Sequence, residues 1–232
     1  MCPSKLNKFI IARLLAETMF INLKVDYGDP NDIHNLERTL LSILCRVIGL
    51  KLKITRTMLD NISNNGILSS IITDLLANFK RDPSCQSFIT GISKPVFKVV
   101  SLYRLSLLFN KSKYKVLMYI KQTYGVEIGL GARLGERIVL DHTHGIVIGQ
   151  QVEIGDNVML MHGITLGATG NQLGLKRRHP RIGSGSNIGA SSIILGGIEI
   201  GHCVNVGANT VVTRRALPYN VLVGVPAQAL LN

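Results

Sequence analysis

The chain has 232 residues, 46% of them hydrophobic, no Trp, and a formal net charge of +12 at pH 7. That length fits one compact domain with an accessory segment, and no apolar run reaches the roughly 18 residues that a membrane span needs. Cys2, Cys45, Cys85 and Cys203 show neither CxxC nor metal-ligand spacing, which suits a reducing, cytoplasmic setting.

The first half reads as helical, with helices predicted over 5–23, 33–50, 67–79, 94–110 and 112–122. Asp29-Pro30, Asn64-Asn65-Gly66 and Asp82-Pro83 punctuate them. Phe9 to Leu23 is broken by Arg13 and Glu17, so it reads as an amphipathic helix and not as a signal peptide. Residues 1–125 hold 18 Lys+Arg against 8 Asp+Glu, and residues 126–232 hold 8 against 6. The basic excess therefore sits on the helical half. It carries no aromatic interleaving or nucleic-acid motif, so nucleic acid is not the expected partner. A solvated basic face accounts for it, with an anionic partner as the alternative.

After Tyr124-Gly125 the patterning changes to steps of six. Ile128, Leu134, Leu140, Ile148, Ile154, Leu160, Leu166, Ile182, Ile188, Ile194, Ile200, Val206 and Val212 start the steps, and Gly follows nine of these thirteen. A β-former every sixth residue fits short parallel strands with tight corners, three steps to a triangular coil. Thirteen steps give roughly four coils, aliphatic residues stacked inside and Gly at corners. The fold expected is mainly β: a left-handed parallel β-helix of hexapeptide repeats over 125–232, with an N-terminal α-helical domain over 1–124. That helical segment cannot complete the β-helix core, so it packs at the end of the coil or against another subunit.

The repeat slips twice. Leu140 to Ile148 spans eight residues, the two extra falling within Leu140-Asp141-His142-Thr143-His144-Gly145. Leu166 to Ile182 spans sixteen, extruding a ten-residue loop around Asn171 to Arg181. Insertions in a solenoid project from one face as functional elaboration, and these two collect His142, His144, Arg178 and His179. The His-x-His pair lacks a third ligand with supporting spacing, so no metal site is expected.

The motif Leu140-Asp141-His142, with Val126-Glu127-Ile128, Thr165-Leu166-Gly167-Ala168-Thr169-Gly170, Arg178-His179-Pro180 and Gly224-Val225-Pro226-Ala227, resembles bacterial serine O-acetyltransferases. The likeness covers about residues 120–230 and extends weakly upstream through Arg81-Asp82-Pro83 and Leu102-Tyr103-Arg104. It implies acetyl transfer from acetyl-CoA to the hydroxyl of L-serine, for cysteine synthesis, with no metal. His142 matches the family's catalytic base, and imidazole suits the task because its pKa lies near working pH. A carboxylate on its second ring nitrogen would fix the tautomer. Glu127 stands where the family has Asp, one methylene longer. Asp141, catalytic with His142, and Asp82 would contact the acceptor's amine, while Arg178 and His179 hold its carboxylate. Gly167, Ala168, Ala190 and Ala208 match positions lining the acetyl-CoA groove, where small side chains allow close backbone approach.

Glu127, the basic helical half and the poorly matching first 75 residues keep open a second acceptor, a sugar hydroxyl of a surface polysaccharide. The resemblance also implies a homotrimer, with a dimer of trimers through the helical segment. Many family members end in a tail with a terminal Ile that inserts into cysteine synthase. This chain stops at Ala229-Leu230-Leu231-Asn232, so no stable complex with cysteine synthase is expected.

Overall fold

A computed structural model of the protein describes residues 66–84, 91, 93–108, 112–170 and 177–230. The helices expected over 5–23 and 33–50, and residues 171–176 of the long loop, lie outside these.

Among the described residues three helices lead into the repeat: α1 (Ile67–Arg81), α2 (Pro95–Ser106) and α3 (Lys113–Tyr124). Pro95 occupies the first turn of α2, where its missing N–H costs nothing. Gly125, at φ 68°, closes α3 in the left-handed conformation that glycine reaches without strain. Its successor, Val126, begins the first strand.

The strands then wind in coils of three. The first coil is β1 (Val126–Ile128), β2 (Arg133–Leu134) and β3 (Val139–Asp141); the second is β4 (Ile146–Ile148), β5 (Glu153–Ile154) and β6 (Met159–Met161). The third is β7 (Thr165–Gly167), β8 (Arg181–Ile182) and β9 (Asn187–Ile188), and the fourth is β10 (Ile193–Leu195), β11 (Glu199–Ile200) and β12 (Asn205–Val206). A fifth comprises β13 (Val211–Val212), a bridge from Ile200 to Ala216, and β14 (Val221–Val223), after which β15 (Gln228–Leu230) turns back antiparallel to β14. The roughly four coils expected thus become five, because Ala216 and Leu222 extend the buried stack past the last recognised slot.

Strands stack into three parallel sheets, β1-β4-β7-β10-β13, β2-β5-β8-β11 and β3-β6-β9-β12-β14 with β15 at the edge. Register aligns the slots one above another, as in Ile128 with Ile148, Ile148 with Leu166, and Leu166 with Ile194. Twelve of the thirteen slots are buried and Leu134 is half-buried. Strand alternation turns the residue two before each slot inward as well, and Ile138, Ile146, Val152, Val158 and Ile164 fill that second column. Ser186, Ser192 and Thr210 continue it as polar residues. Ser186 stays satisfied by donating to Gly201 O at 3.1 Å and accepting from Val204 N at 3.1 Å.

The helices cap the first coil and share its apolar core, through Phe97, Val99, Leu102, Leu117 and Ile120. A buried ion pair locks them there. Asp74 of α1 is bound by Arg104 of α2, Nε to Oδ2 at 2.9 Å, and also accepts the Ile138 amide at 2.9 Å. Arg104 donates onward to Leu134 O at 2.8 Å and to Gly135 O. Burial pushes the Asp74 carboxyl up, against the pull of Arg104 and of the Ile138 and Arg137 amides. No helix among the described residues is long and apolar enough to cross a membrane.

Candidate active site

Each coil turns from the third sheet back to the first through a tight corner. In the second, third and fourth coils one residue with positive φ suffices: Gly163 (70°), Ser191 (57°) and Asn209 (56°). The corner after β3 has two extra residues and two positive-φ positions, His142 (60°) and Gly145 (76°). A β-carbon in that region costs on the order of 1–2 kcal/mol, and here the strain falls on the histidine that the motif singles out. The corner thrusts His142 outward, its side chain 74% exposed, while the neighbouring Thr143 is buried.

The same edge collects further expected residues in a vertical file. Gly163 donates its amide to His144 O, Ser191 to His162 O, and Asn209 to Ala190 O, each at 2.9 Å. His144, His162, Ala190 and Ala208 therefore occupy equivalent corners of successive coils. The His162 ring meets His142 edge to face, centroids 5.6 Å apart.

Facing this edge is a wall made by the ends of two helices. Asp82 is the C-cap of α1 and Lys94 the N-cap of α2. Between wall and corner lies a cleft of about 580 Å³, lined by Arg81, Asp82, Lys94, Asp141, His142 and His144 among others. Asp82 Oδ1 accepts from Ser84 N at 2.9 Å and Ser84 Oγ at 2.6 Å, and Lys94 Nζ donates to Oδ2. Partial burial opposes ionisation of Asp82, but hydrogen bonds from Lys94 and Ser84 outweigh it and hold the carboxyl down to about 2.

Other expected residues stand elsewhere. Glu127 lies on β1 with its carboxylate 2.7 Å from Lys121 Nζ. Among the described residues, Asp141 Oδ1 is the one carboxylate oxygen within 4 Å of a His142 ring nitrogen, at 3.7 Å, longer than a hydrogen bond. Gly167, Ala168, Arg178 and His179 belong to a second edge, where the chain passes from the first sheet to the second. There Gln151 Oε1 accepts the Arg178 amide at 2.9 Å and lies 3.3 Å from His179 Nδ1. The His179 ring packs on Gly149, where an added Cβ would sit 2.1 Å from its Cδ2. Burial, then the charges of Arg178 and Arg177, hold His179 below the ordinary imidazole value, so it is neutral at pH 7. Arg178 Nη2 donates to Gly170 O at 3.0 Å, while its Nε is buried with no hydrogen-bond partner among the described residues.

The single chain thus joins Asp82, Asp141 and His142 in one cleft and leaves Arg178 and His179 on another edge. Sequence reasoning missed Lys94, Ser84 and Gln151. A lysine directly before Pro95, at a predicted helix start where the backbone already carries positive charge, was the available signal. Ser84 and Gln151 carried none.

No family model matches the chain. It is 38% identical over 174 residues to a serine acetyltransferase of Buchnera aphidicola from Schizaphis graminum, covering 72% of this chain and 66% of that protein. It is 37% identical over 166 residues to a serine acetyltransferase of Staphylococcus aureus, covering 69% and 76%. The chain spans about half to two thirds of the length of the Buchnera and Arabidopsis thaliana serine acetyltransferases that it matches. Among solved structures, Neisseria gonorrhoeae serine acetyltransferase superposes with a TM-score of 0.74 at 30% identity, covering 96% of this chain and 94% of that one. Soybean serine acetyltransferase complexed with serine superposes with a TM-score of 0.72 at 32% identity, covering 97% and 96%.

Proposed function

Since the chain belongs to the serine acetyltransferase family, we propose that it transfers the acetyl group of acetyl-CoA to the hydroxyl of L-serine, with His142 as general base. The observation that carries this reading is the meeting of Asp82, Asp141 and His142 in one cleft. Two carboxylates suit an ammonium, and an exposed imidazole beside them can reach the hydroxyl on the same small molecule. A soybean relative complexed with serine supports the acceptor.

His142 removes the hydroxyl proton as the serine oxygen attacks the thioester carbonyl. The new C–O bond forms, the C–S bond breaks, and the imidazolium returns the proton to the departing thiolate. Asp141, next to His142, stabilises the imidazolium across 3.7 Å. Glu127 takes that part once released from Lys121, for which its longer side chain provides reach. The small-residue file of Ala190 and Ala208 receives the pantetheine arm along the edge that presents His142. Arg178, with a buried donor unspent among the described residues, and neutral His179 bind the acceptor carboxylate.

Those two residues stand on a different edge of the chain from His142, so the complete site needs two copies. In a homotrimer of parallel solenoids, one copy's His142 edge faces the next copy's Arg178 edge, with Gly167 and Ala168 beside the thioester. Trimers pairing through the helical segments would give a hexamer. A cytoplasmic location accords with the cysteine pattern.

The test is thiol release from acetyl-CoA with L-serine and with a panel of sugars and oligosaccharides. Serine-dependent release supports the reading. Turnover confined to a sugar would move the enzyme to glycan modification and leave Arg178 and His179 without their proposed ligand.

A further inference from the structure

Lys94 and Asp82 each sit against the local helix field. Asp82 caps the C-terminus of α1, where unpaired carbonyls concentrate negative charge, and Lys94 caps the N-terminus of α2, where amides concentrate positive charge. Helix energetics disfavour both placements, so helix stability does not account for either residue. What they share is the cleft. Lys94 Nζ donates to Asp82 Oδ2 and to Ser84 Oγ. Ser84 fills Oδ1 with two donors of its own. An acceptor's ammonium at Asp82 would meet Oδ2, and an ammonium of this chain already binds that oxygen. Both side chains are 23% exposed, so the pair is partly desolvated and its charge is felt within the cleft.

We propose that Lys94 is a specificity-determining residue, an internal competitor for the acceptor's ammonium at Asp82. The inference rests on the reading of L-serine as acceptor. Lysine suits the part because its charge rides on a flexible four-carbon stem that can swing away without disturbing the backbone. In the empty site it neutralises Asp82, and it leaves when a substrate ammonium takes Oδ2. The residue thereby weakens the binding of amine-bearing acceptors without touching the reacting atoms. A Lys94 that only propped Asp82 in position would have the opposite effect on removal.

Wild type, Lys94→Met and Lys94→Arg are compared for KM and kcat with L-serine. The inhibition constant of 3-hydroxypropanoate, which has the hydroxyl and carboxylate of serine without its ammonium, is measured alongside. Lys94→Met should lower the serine KM about three- to tenfold, the range of a partly desolvated charged contact, with kcat changed less than twofold. Lys94→Arg, which keeps the cation, should retain the wild-type KM, and 3-hydroxypropanoate should bind Lys94→Met no more tightly than wild type. Serine turnover with a KM unchanged or raised in Lys94→Met would overturn this inference alone, as would an equal gain for 3-hydroxypropanoate. Absence of serine turnover in both wild type and Lys94→Met would overturn the acceptor reading and this inference together.

Discussion

Replacing Arg104 with Met should loosen both the fold and the cleft. Arg104 and Asp74 are 5% and 0% exposed in their side chains, so the carboxylate left behind has no access to water. It would keep the Ile138 amide but lose Nε at 2.9 Å and Nη2 at 3.3 Å. Leu134 O and Gly135 O would each lose a donor. Stranding a buried charge in this way costs about 3–5 kcal/mol. For a chain of this size that is a fall of roughly 6–20 °C in the melting midpoint. Differential scanning calorimetry at fixed protein concentration measures it, and adding Asp74→Asn to Arg104→Met should recover part of the loss. The site should suffer too. Asp82 lies eight residues along α1 from Asp74, about 12 Å, and Lys94 begins the helix that carries Arg104. The KM for serine should rise with the loosened wall. A midpoint within about 2 °C of wild type would mean that the ion pair adds little and that apolar packing alone holds the helices.

Two further perturbations separate the edges. Gly149→Ala places a methyl where the His179 ring packs, and should cut kcat/KM at least about tenfold, read from thiol release, because a small misplacement at a positioned group is expensive. Asp82 is ionised more readily in the fold than its ordinary 3.8, at about 2, so its stabilising contribution is full above about pH 4 and disappears as pH falls through 2. The stability deficit of Asp82→Asn, taken from urea midpoints, should be constant from pH 8 to 5 and shrink toward zero near pH 2; a deficit that grew on acidification would reverse the sign.

Hexapeptide slots were legible because a solenoid repeats one local environment, so Ile128, Ile148 and Leu166 announce by spacing the neighbours that they meet by register. Ser186 in the second inward column was not, since it differs from a surface serine only through partners distant in sequence, Gly201 and Val204. The fifth coil was missed where Ala216 replaced a larger aliphatic. At the site, the slip at Leu140–Ile148 pointed straight to the strained His142 corner. The Asp82–Lys94 pair was hidden, because it joins two helix ends whose approach depends on Asp74 and Arg104 meeting beneath them. The step count sets the two slips at different corners, after the third slot and after the seventh, but gave no sign that Arg178 and His179 meet Gln151.

His142 is proposed as the base for acetyl transfer to serine. Its most direct test is kcat/KM for thiol release with L-serine in His142→Ala against wild type, with the melting midpoint as a control for folding. A loss of about 10²- to 10⁴-fold is expected, the range for a general base, with the midpoint little changed because the His142 side chain is 74% exposed. A folded His142→Ala protein that acetylated serine within a few-fold of the wild-type rate would contradict it.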